Sequence, residues 1–328
     1  MKIALITNPN SGWNKKHKDD VSAALAKHDP DGHITHYQTP SVELLEEALM
    51  QCADNNIDFL IINGGDGTID DVVTLIRTRN IFTKKDPAYA FLPGGTTNMT
   101  HQAMRKGRHV IGGLRAILND IYSDVDIRSR LADRALLKLD IKDHGRVLYG
   151  FFFGAAAIPK LISYARNKLH KRGLSGKLGH LIMFFTLIVK LVRGSVYNDP
   201  LLHPKEIQYG FEAYKWRDSD AVLLYVTSLP RLLLGLKTGV DNNHYCLGGL
   251  GVPYRKLLRS LPLFWRGKTP QDGSSAFFSF LFKRGMTMGM KLRGSFTLDG
   301  ALYEYDGQTE LVISLAPPLS VYDFGAKS

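Results

Sequence analysis

Cysteine is almost absent from this sequence. Its 328 residues include only Cys52 and Cys246, which form neither a spaced pair nor a metal motif. That excludes a disulfide scaffold and a cysteine-ligated zinc site, and it is the usage of a reducing, intracellular compartment. Long apolar runs are missing too. The best candidate, at 181–189, falls well short of the roughly 20 residues that span a bilayer, and fits either a core helix or a helix lying on a membrane surface between basic flanks. The first residues enter a strand at once and lack the apolar segment and cleavage site of a signal peptide. There is no internal repeat and no low-complexity linker. Acid is the scarcer charge: 31 Asp and Glu stand against 42 Lys and Arg, a formal net charge of +11. An excess of that sign points to an anionic partner, whether nucleotide, phospholipid surface or nucleic acid. No basic motif interleaved with aromatics is present, which argues against nucleic acid.

What is there is ordinary globular material, 44% hydrophobic and 22% charged, long enough for two domains with cores of their own. The most informative stretch lies at 58–76. Phe59, Leu60, Ile61 and Ile62 read as a buried parallel strand. Gly64, Gly65 and Gly67 follow, with Asp66 and Thr68 between and after them, and Val72, Val73, Leu75 and Ile76 mark one face of a helix. Strand, glycine turn and helix together put backbone N–H groups where an anion can bind. The order is neither G-x-G-x-x-G nor the lysine-bearing Walker pattern, so neither a standard dinucleotide site nor a P-loop is indicated.

The same grammar recurs along the first 127 residues. Strands are expected at 3–7, 33–37 and 88–92, and helices from the apolar spacing of Val21, Ala24 and Leu25, of Leu44, Leu45, Ala48 and Leu49 behind the N-cap Ser41, and of Ile111, Leu114, Ile117 and Leu118. The alternation predicts a Rossmann-like parallel α/β sheet, whose ligands bind at strand C-termini. Three polar loops leave from such ends: Asn8-Pro9-Asn10-Ser11-Gly12, Gly64-Gly65-Asp66-Gly67-Thr68, and Gly94-Gly95-Thr96-Thr97-Asn98. Three donor-rich loops converging at one sheet edge predict a phosphate-bearing ligand.

Past residue 127 the pattern changes to short strands with turn signals, expected at 135–141, 147–153, 207–214, 221–226, 286–292, 296–298 and 311–315. They predict an antiparallel β-sandwich over 128–308, with a helical, basic insertion at about 159–193 and a tail at about 309–328 that returns to the first domain. The insertion carries Lys160, Arg166, Lys168, Lys171, Arg172, Lys177, Lys190 and Arg193 around the apolar run.

The three loops, in this order and spacing, resemble the catalytic domain of the soluble diacylglycerol kinase family, which includes bacterial lipid kinases and sphingosine and ceramide kinases. The Gly-Gly-Asp-Gly-Thr motif is shared with NAD kinases and phosphofructokinases. The Asn-Pro-x-Ser-Gly opening and the Leu-Pro-x-Gly-Thr-x-Asn loop favour the lipid branch. The resemblance continues more weakly through Asp124-Val125-Asp126-Ile127, Leu229-Pro230-Arg231 and Leu298-Asp299-Gly300. It implies an N-terminal nucleotide domain, a C-terminal lipid-binding sandwich, and ATP-dependent phosphorylation of the hydroxyl of a diacylglycerol-like or sphingoid lipid. It implies ATP binding by Asn8, Pro9, Asn10, Ser11 and Gly12, by Thr39, by Gly64, Gly65, Asp66, Gly67 and Thr68, and by Gly95, Thr96 and Asn98. It implies Mg²⁺ near Asp66, a second metal segment represented here by Asp241, and a glutamate after Asp-Gly as proton acceptor; with Ala301 at that position, Asp66 and Asp299 are the acids left near the acceptor hydroxyl. The implied partners are the lipid substrate at a membrane surface and anionic phospholipid, with no nucleic acid. The implied location is cytoplasmic and peripheral to the membrane, and a homodimer is compatible with it.

Three departures from the family pattern define the alternatives. Met99 stands where many relatives carry a second acid. Asp70-Asp71 replaces Asn-Glu, as acids that complement a helix dipole. Ala301 replaces the glutamate of Asp-Gly-Glu, and Glu304, three positions on, would point to the opposite face of a strand. These motivate a nucleotide- and lipid-binding protein with little or no kinase activity. A soluble-substrate kinase of the NAD kinase type is the other alternative. Lys15 and Lys16 read as solvated surface first and as γ-phosphate ligands second.

Overall fold

A computed structural model describes residues 1–96, 98–103, 109–164, 202–203, 205–211, 216–232, 237–251 and 277–325. The chain divides into two compact units, Met1–Arg134 with Pro318–Ser328, and Ala135–Pro317.

The first unit is built from β1 (Ile3–Thr7), α1 (Asp20–His28), β2 (Ile34–Gln38), α2 (Val42–Asp54), β3 (Phe59–Gly64), α3 (Asp66–Arg79), β4 (Ala88–Pro93), α4 (Met99–Ala103) and α5 (Val110–Tyr122). Its strands run parallel in the order β2-β1-β3-β4, with Thr7 opposite both Gln38 and Asn63 and Gly64 opposite Pro93. Every residue of β1 and β3 is buried. A parallel strand covered on both faces needs apolar residues on both, which is why these segments read as unbroken runs. The Ser41 hydroxyl accepts the Leu44 N–H and starts α2. At the other end of α3 the chain turns through Asn80 in the left-handed conformation (φ 50°), a common helix C-terminus. Leu5, Phe59, Ile61, Leu92, Leu114, Ile117 and Tyr322 share the core of this unit.

The second unit contains most of β5 (Leu131–Ile141), then β6 (Arg146–Gly150), β7 (Phe152–Ala156), α6 (Ala157–Tyr164), β8 (Lys205–Phe211), β9 (Arg217–Thr227), β10 (His244–Gly251), β11 (Phe277–Lys283), β12 (Met288–Leu298) and the greater part of β13 (Ala301–Tyr322). Its pairings are antiparallel. β7 and β8 follow one another between β9 and β12: the first part of β9 pairs with β8 and the last with β7, and β12 does the same. Phe153, Leu224, Tyr245, Phe282, Phe296 and Leu311 meet in the core. The expected strands at 286–292 and 296–298 are one strand, because a bulge at Arg293/Gly294 bends β12 without ending it. β10 and β11 were not anticipated.

Strands also straddle both unit boundaries. β5 carries the chain across the first, and β13 across the second, so that Val321 pairs with Tyr89 of β4 in parallel. The returning residues are fastened in the first unit. The Tyr322 hydroxyl donates to Asp120 (2.5 Å), which also takes Arg130 Nε (3.0 Å), and the Asp323 N–H donates to the Arg130 carbonyl (2.8 Å). The sequence reading placed these boundaries near 127 and 309; hydrogen-bonded strand on both sides of each one smooths the change of pattern. Of the basic insertion only its start, α6, is described; its apolar run and most of its cations lie outside the described residues. Among the described residues no helix is long and apolar enough to cross a membrane.

Candidate active site

The three polar loops of the first unit touch one another. The Asn8 side chain donates to Thr68 Oγ1 (3.0 Å), Ser11 Oγ lies 3.4 Å from the same hydroxyl, and the Gly65 N–H donates to Ser11 Oγ (3.3 Å). The third loop closes on the other two. The Trp13 N–H donates to the Gly94 carbonyl (2.8 Å). A Cβ on Gly12 would collide with the Thr96 hydroxyl, and one on Gly95 would collide with the Gly65 backbone. These are sites of close approach that only glycine allows. Asn10 ties the first loop to the segment after β2 through the Pro40 carbonyl (2.9 Å), beside buried Thr39.

At the centre stands the N-terminus of α3. Its N-cap, Gly65, has no side chain to satisfy the first N–H groups, and beside Gly67 there is open space. A glycine-rich helix start with no side-chain cap, open space beside Gly67 and hydroxyls at its rim fits a phosphate group. The Thr39 hydroxyl is buried without a hydrogen-bond partner, a further donor near the first loop.

Asp66, the first residue of α3, is 7% exposed. Its Oδ2 accepts the Met99 N–H (2.8 Å) and its Oδ1 the Thr100 N–H (2.9 Å), so it caps the start of α4. Asn98 works inside its own loop. It adopts the left-handed conformation, accepts the Gly95 N–H (2.9 Å) and donates to the Pro93 and Gly95 carbonyls. His101 in α4 is buried, and desolvation pushes its pKa down to about 4. Lys15 and Lys16 are exposed.

Asp299 belongs to the second unit, in the two-residue turn between β12 and β13, where Leu298 pairs with Ala301. Both turn residues have positive φ, 45° for Asp299 and 92° for Gly300, the requirement of a type I′ hairpin turn. The Asp299 carboxylate is buried and accepts the Phe151 N–H (2.6 Å) and the Phe152 N–H (2.8 Å). Tyr303 and Tyr305 stack on core residue Phe296. Glu304, between them, is exposed and points away from the face that Ala301 shares with the two tyrosines, as the strand period requires. Asp241 is 66% exposed. Its Oδ1 accepts the Asn243 N–H (2.8 Å) and meets His244 Nδ1 (2.6 Å), contacts that hold its carboxyl below the usual range. Among the described residues no group of three or more His, Cys, Asp or Glu is placed to hold a metal ion by itself.

Residues 2–129 match the family model of the diacylglycerol kinase catalytic domain. This stretch is similar to that family's catalytic domain. The diacylglycerol kinase of Staphylococcus aureus (strain bovine RF122 / ET3-1) is 30% identical to the chain over 127 residues, which cover 38% of this chain and 39% of that protein. The match thus spans well under half the length of the curated relative. A crystal structure from Bacillus anthracis str. Sterne aligns over 99% of this chain and 98% of its own, with a TM-score of 0.66 and 15% identity. The crystal structure of a diacylglycerol kinase from the same organism aligns over 99% and 97%, with a TM-score of 0.62 and 15% identity. At such identities the likeness speaks for the fold, a mixed sheet with parallel strands first and antiparallel strands after.

Two residues of the kinase-family domain escaped the sequence reading. Asn14 (2% exposed) donates its side-chain amide to the Asn8 carbonyl (2.8 Å) and the Asn63 carbonyl (3.2 Å), and its backbone N–H to the Gly94 carbonyl (3.4 Å). Asn63, fully buried, donates to Thr7 Oγ1 (3.4 Å). The available signal was an asparagine inside the apolar run of β3.

Proposed function

We propose that the chain is an ATP-dependent lipid kinase that moves the γ-phosphoryl group of ATP to a hydroxyl of a diacylglycerol-like or sphingoid lipid. The observation that carries this reading is the convergence of three glycine-bearing loops on the N-terminus of α3, inside the stretch that matches the diacylglycerol kinase catalytic domain. The glycine-rich start of α3 and the hydroxyls of Ser11, Thr68 and Thr96 hold phosphate oxygens, and Thr39 stands at the end of β2. A bound magnesium ion neutralises phosphate charge. Mg²⁺ sites commonly draw on one or two carboxylates plus phosphate oxygens and water, and Asp66 is the carboxylate at the loop. In the segment that the family resemblance assigns to a second metal, Asp241 is engaged by Asn243 and His244, and no ligand cluster surrounds it among the described residues.

Asp66 and Asp299 are the acids assigned to the acceptor hydroxyl. Each already orients two backbone N–H groups, so each is held rigidly, and neither needs Glu304. The antiparallel unit, read as a sandwich, receives the lipid, while the basic stretch at 160–193 docks on anionic phospholipid at the cytoplasmic face of a membrane.

The test is transfer of radiolabelled γ-phosphate with Mg²⁺ against a panel of diacylglycerol, sphingosine and ceramide in mixed micelles, with NAD as a soluble control. Lipid-dependent incorporation is expected. ATP binding with no labelled lipid would favour the non-catalytic alternative that Ala301 and Met99 motivate, and labelled NADP would overturn the lipid assignment.

A further inference from the structure

We infer that Asn14 and Asn63 are positioning residues of the phosphate cradle: a buried amide clamp that sets the spacing of the three loops and thereby the affinity for a nucleoside triphosphate. The inference rests on the kinase reading above for its ligand, and on the geometry of the first unit for everything else.

The clamp has an unusual reach. Asn14 alone touches all three loop systems: the first through the Asn8 carbonyl, the second through the Asn63 carbonyl one residue before Gly64, and the third through the Gly94 carbonyl. The Asn63 carbonyl also accepts the Asn8 N–H (3.0 Å), and the Asn63 amide reaches back to Thr7 at the end of β1. The C-terminal ends of β1 and β3 are therefore joined by side-chain amides, and the Asn14 backbone N–H adds the loop after β4, at the point where ladder hydrogen bonding gives out. Gly94 shows how tight the joint is. A Cβ there would sit 2.5 Å from Asn63 Oδ1 and 2.7 Å from Asn14 Nδ2.

Both side chains are more than nine-tenths buried, and Asn14 Oδ1 and Asn63 Oδ1 have no hydrogen-bond partner. Orphaned buried acceptors are costly, and a protein core would be better served by apolar residues at both positions. Their presence is accounted for by what the donor ends of the same amides do, which is to fix carbonyls whose loops face the ligand. A triphosphate bound by several N–H groups at once needs those groups at fixed separations. Loosening the clamp therefore lowers nucleotide affinity rather than lipid affinity.

The test uses the full chain and the variants Asn14→Ser, Asn14→Asp and Gly94→Ala. Asn14→Asp keeps the size and removes the donor, Asn14→Ser shortens the reach, and Gly94→Ala pushes on the clamp from the third loop. The expected result is a rise of about tenfold or more in the KM for ATP with the KM for lipid within about twofold, and amide exchange faster by about tenfold in 64–68 and 94–96 while the core of β1 and β3 keeps its protection. Folded variants with unchanged ATP affinity and unchanged exchange in those loops would overturn the inference. So would equal losses for both substrates, or faster exchange spread evenly over the unit. If the wild-type chain binds no ATP, the kinase reading fails. The exchange pattern then still decides whether the clamp positions the loops.

Discussion

Asp66 and Asp299 hold their surroundings by the same means in opposite kinds of local structure. Each is buried, and each gives its two oxygens to two consecutive backbone N–H groups. Asp66 does so from the first turn of a helix, where an anion is favoured by the helix dipole. Asp299 does so from a hairpin turn, with its own backbone in the left-handed region. The first therefore joins two helix starts in a parallel sheet, and the second joins a turn to a neighbouring strand in an antiparallel one. An aspartate that serves as a backbone acceptor can also be a chemical group, and the two roles separate experimentally.

The largest effect is expected from Asp66→Ala. Two N–H groups at the start of α4 lose charged acceptors, for a stability loss of roughly 4 kcal/mol by denaturant unfolding. Lipid phosphorylation should fall about 100-fold or more if the carboxylate also acts on the hydroxyl. Asp66→Asn keeps one acceptor and the size. If that variant retains wild-type turnover, Asp66 is a cap alone, and the comparison collapses to two structural aspartates.

Acid should strike the Asp66 side first, through His101 in the helix that Asp66 caps. Burial lowers the His101 pKa from 6.5 to about 4, so the folded state holds the neutral ring. Between pH 6.5 and 4 the unfolded chain binds more protons than the folded one. The stabilisation is complete above 6.5, is lost as the pH falls towards 4, and changes little below that. A loss of roughly 2–3 kcal/mol over this window is expected from the wild type relative to His101→Gln, measured by urea unfolding at a series of pH values. Equal slopes for the two proteins would show that His101 is not the group responsible.

In the hairpin, Asp299→Asn should cost about 1 kcal/mol, because asparagine accepts the left-handed conformation and keeps one acceptor. Gly300→Ala should cost about 1–2 kcal/mol through its φ of 92°. Thermal melts read both. If Asp299→Asn abolishes phosphorylation while the melt barely moves, the turn carries chemistry as well as shape. The smallest effect belongs to Glu304→Gln, for which turnover within twofold of wild type is expected; a large loss would show that Glu304 reaches the site despite its outward face.

Legibility in the sequence followed the same division. The parallel strands were plain because both faces are buried: 59–62 is apolar throughout and sits between a polar loop and a helix. In the second unit β10 was invisible, since His244-Tyr245-Cys246-Leu247-Gly248-Gly249-Leu250-Gly251 has few β-forming side chains. Its Gly248 is required because the Tyr225 ring of β9 fills the space a Cβ would take, a tertiary fact with no local signature. Asp299-Gly300 was read as a chemical motif, though Asp-Gly between strand-like runs is also the signal of a two-residue hairpin. The clamp asparagines were missed for another reason: a buried amide is recognised by the carbonyls around it, here one from the first loop and one from the end of β3.

The strand that begins at Ala301 and ends at Tyr322 gives the protein an order of assembly. The first unit has its sheet, its loops and most of its core in the first 134 residues, yet Tyr322 and Phe324 belong to that core and Tyr322 closes the Arg130–Asp120 pair. A ribosome delivers those residues only after the whole second unit has been made. The first unit to emerge is therefore the last to be finished, and a premature stop just before Pro318 would injure the oldest part of the nascent chain rather than the newest.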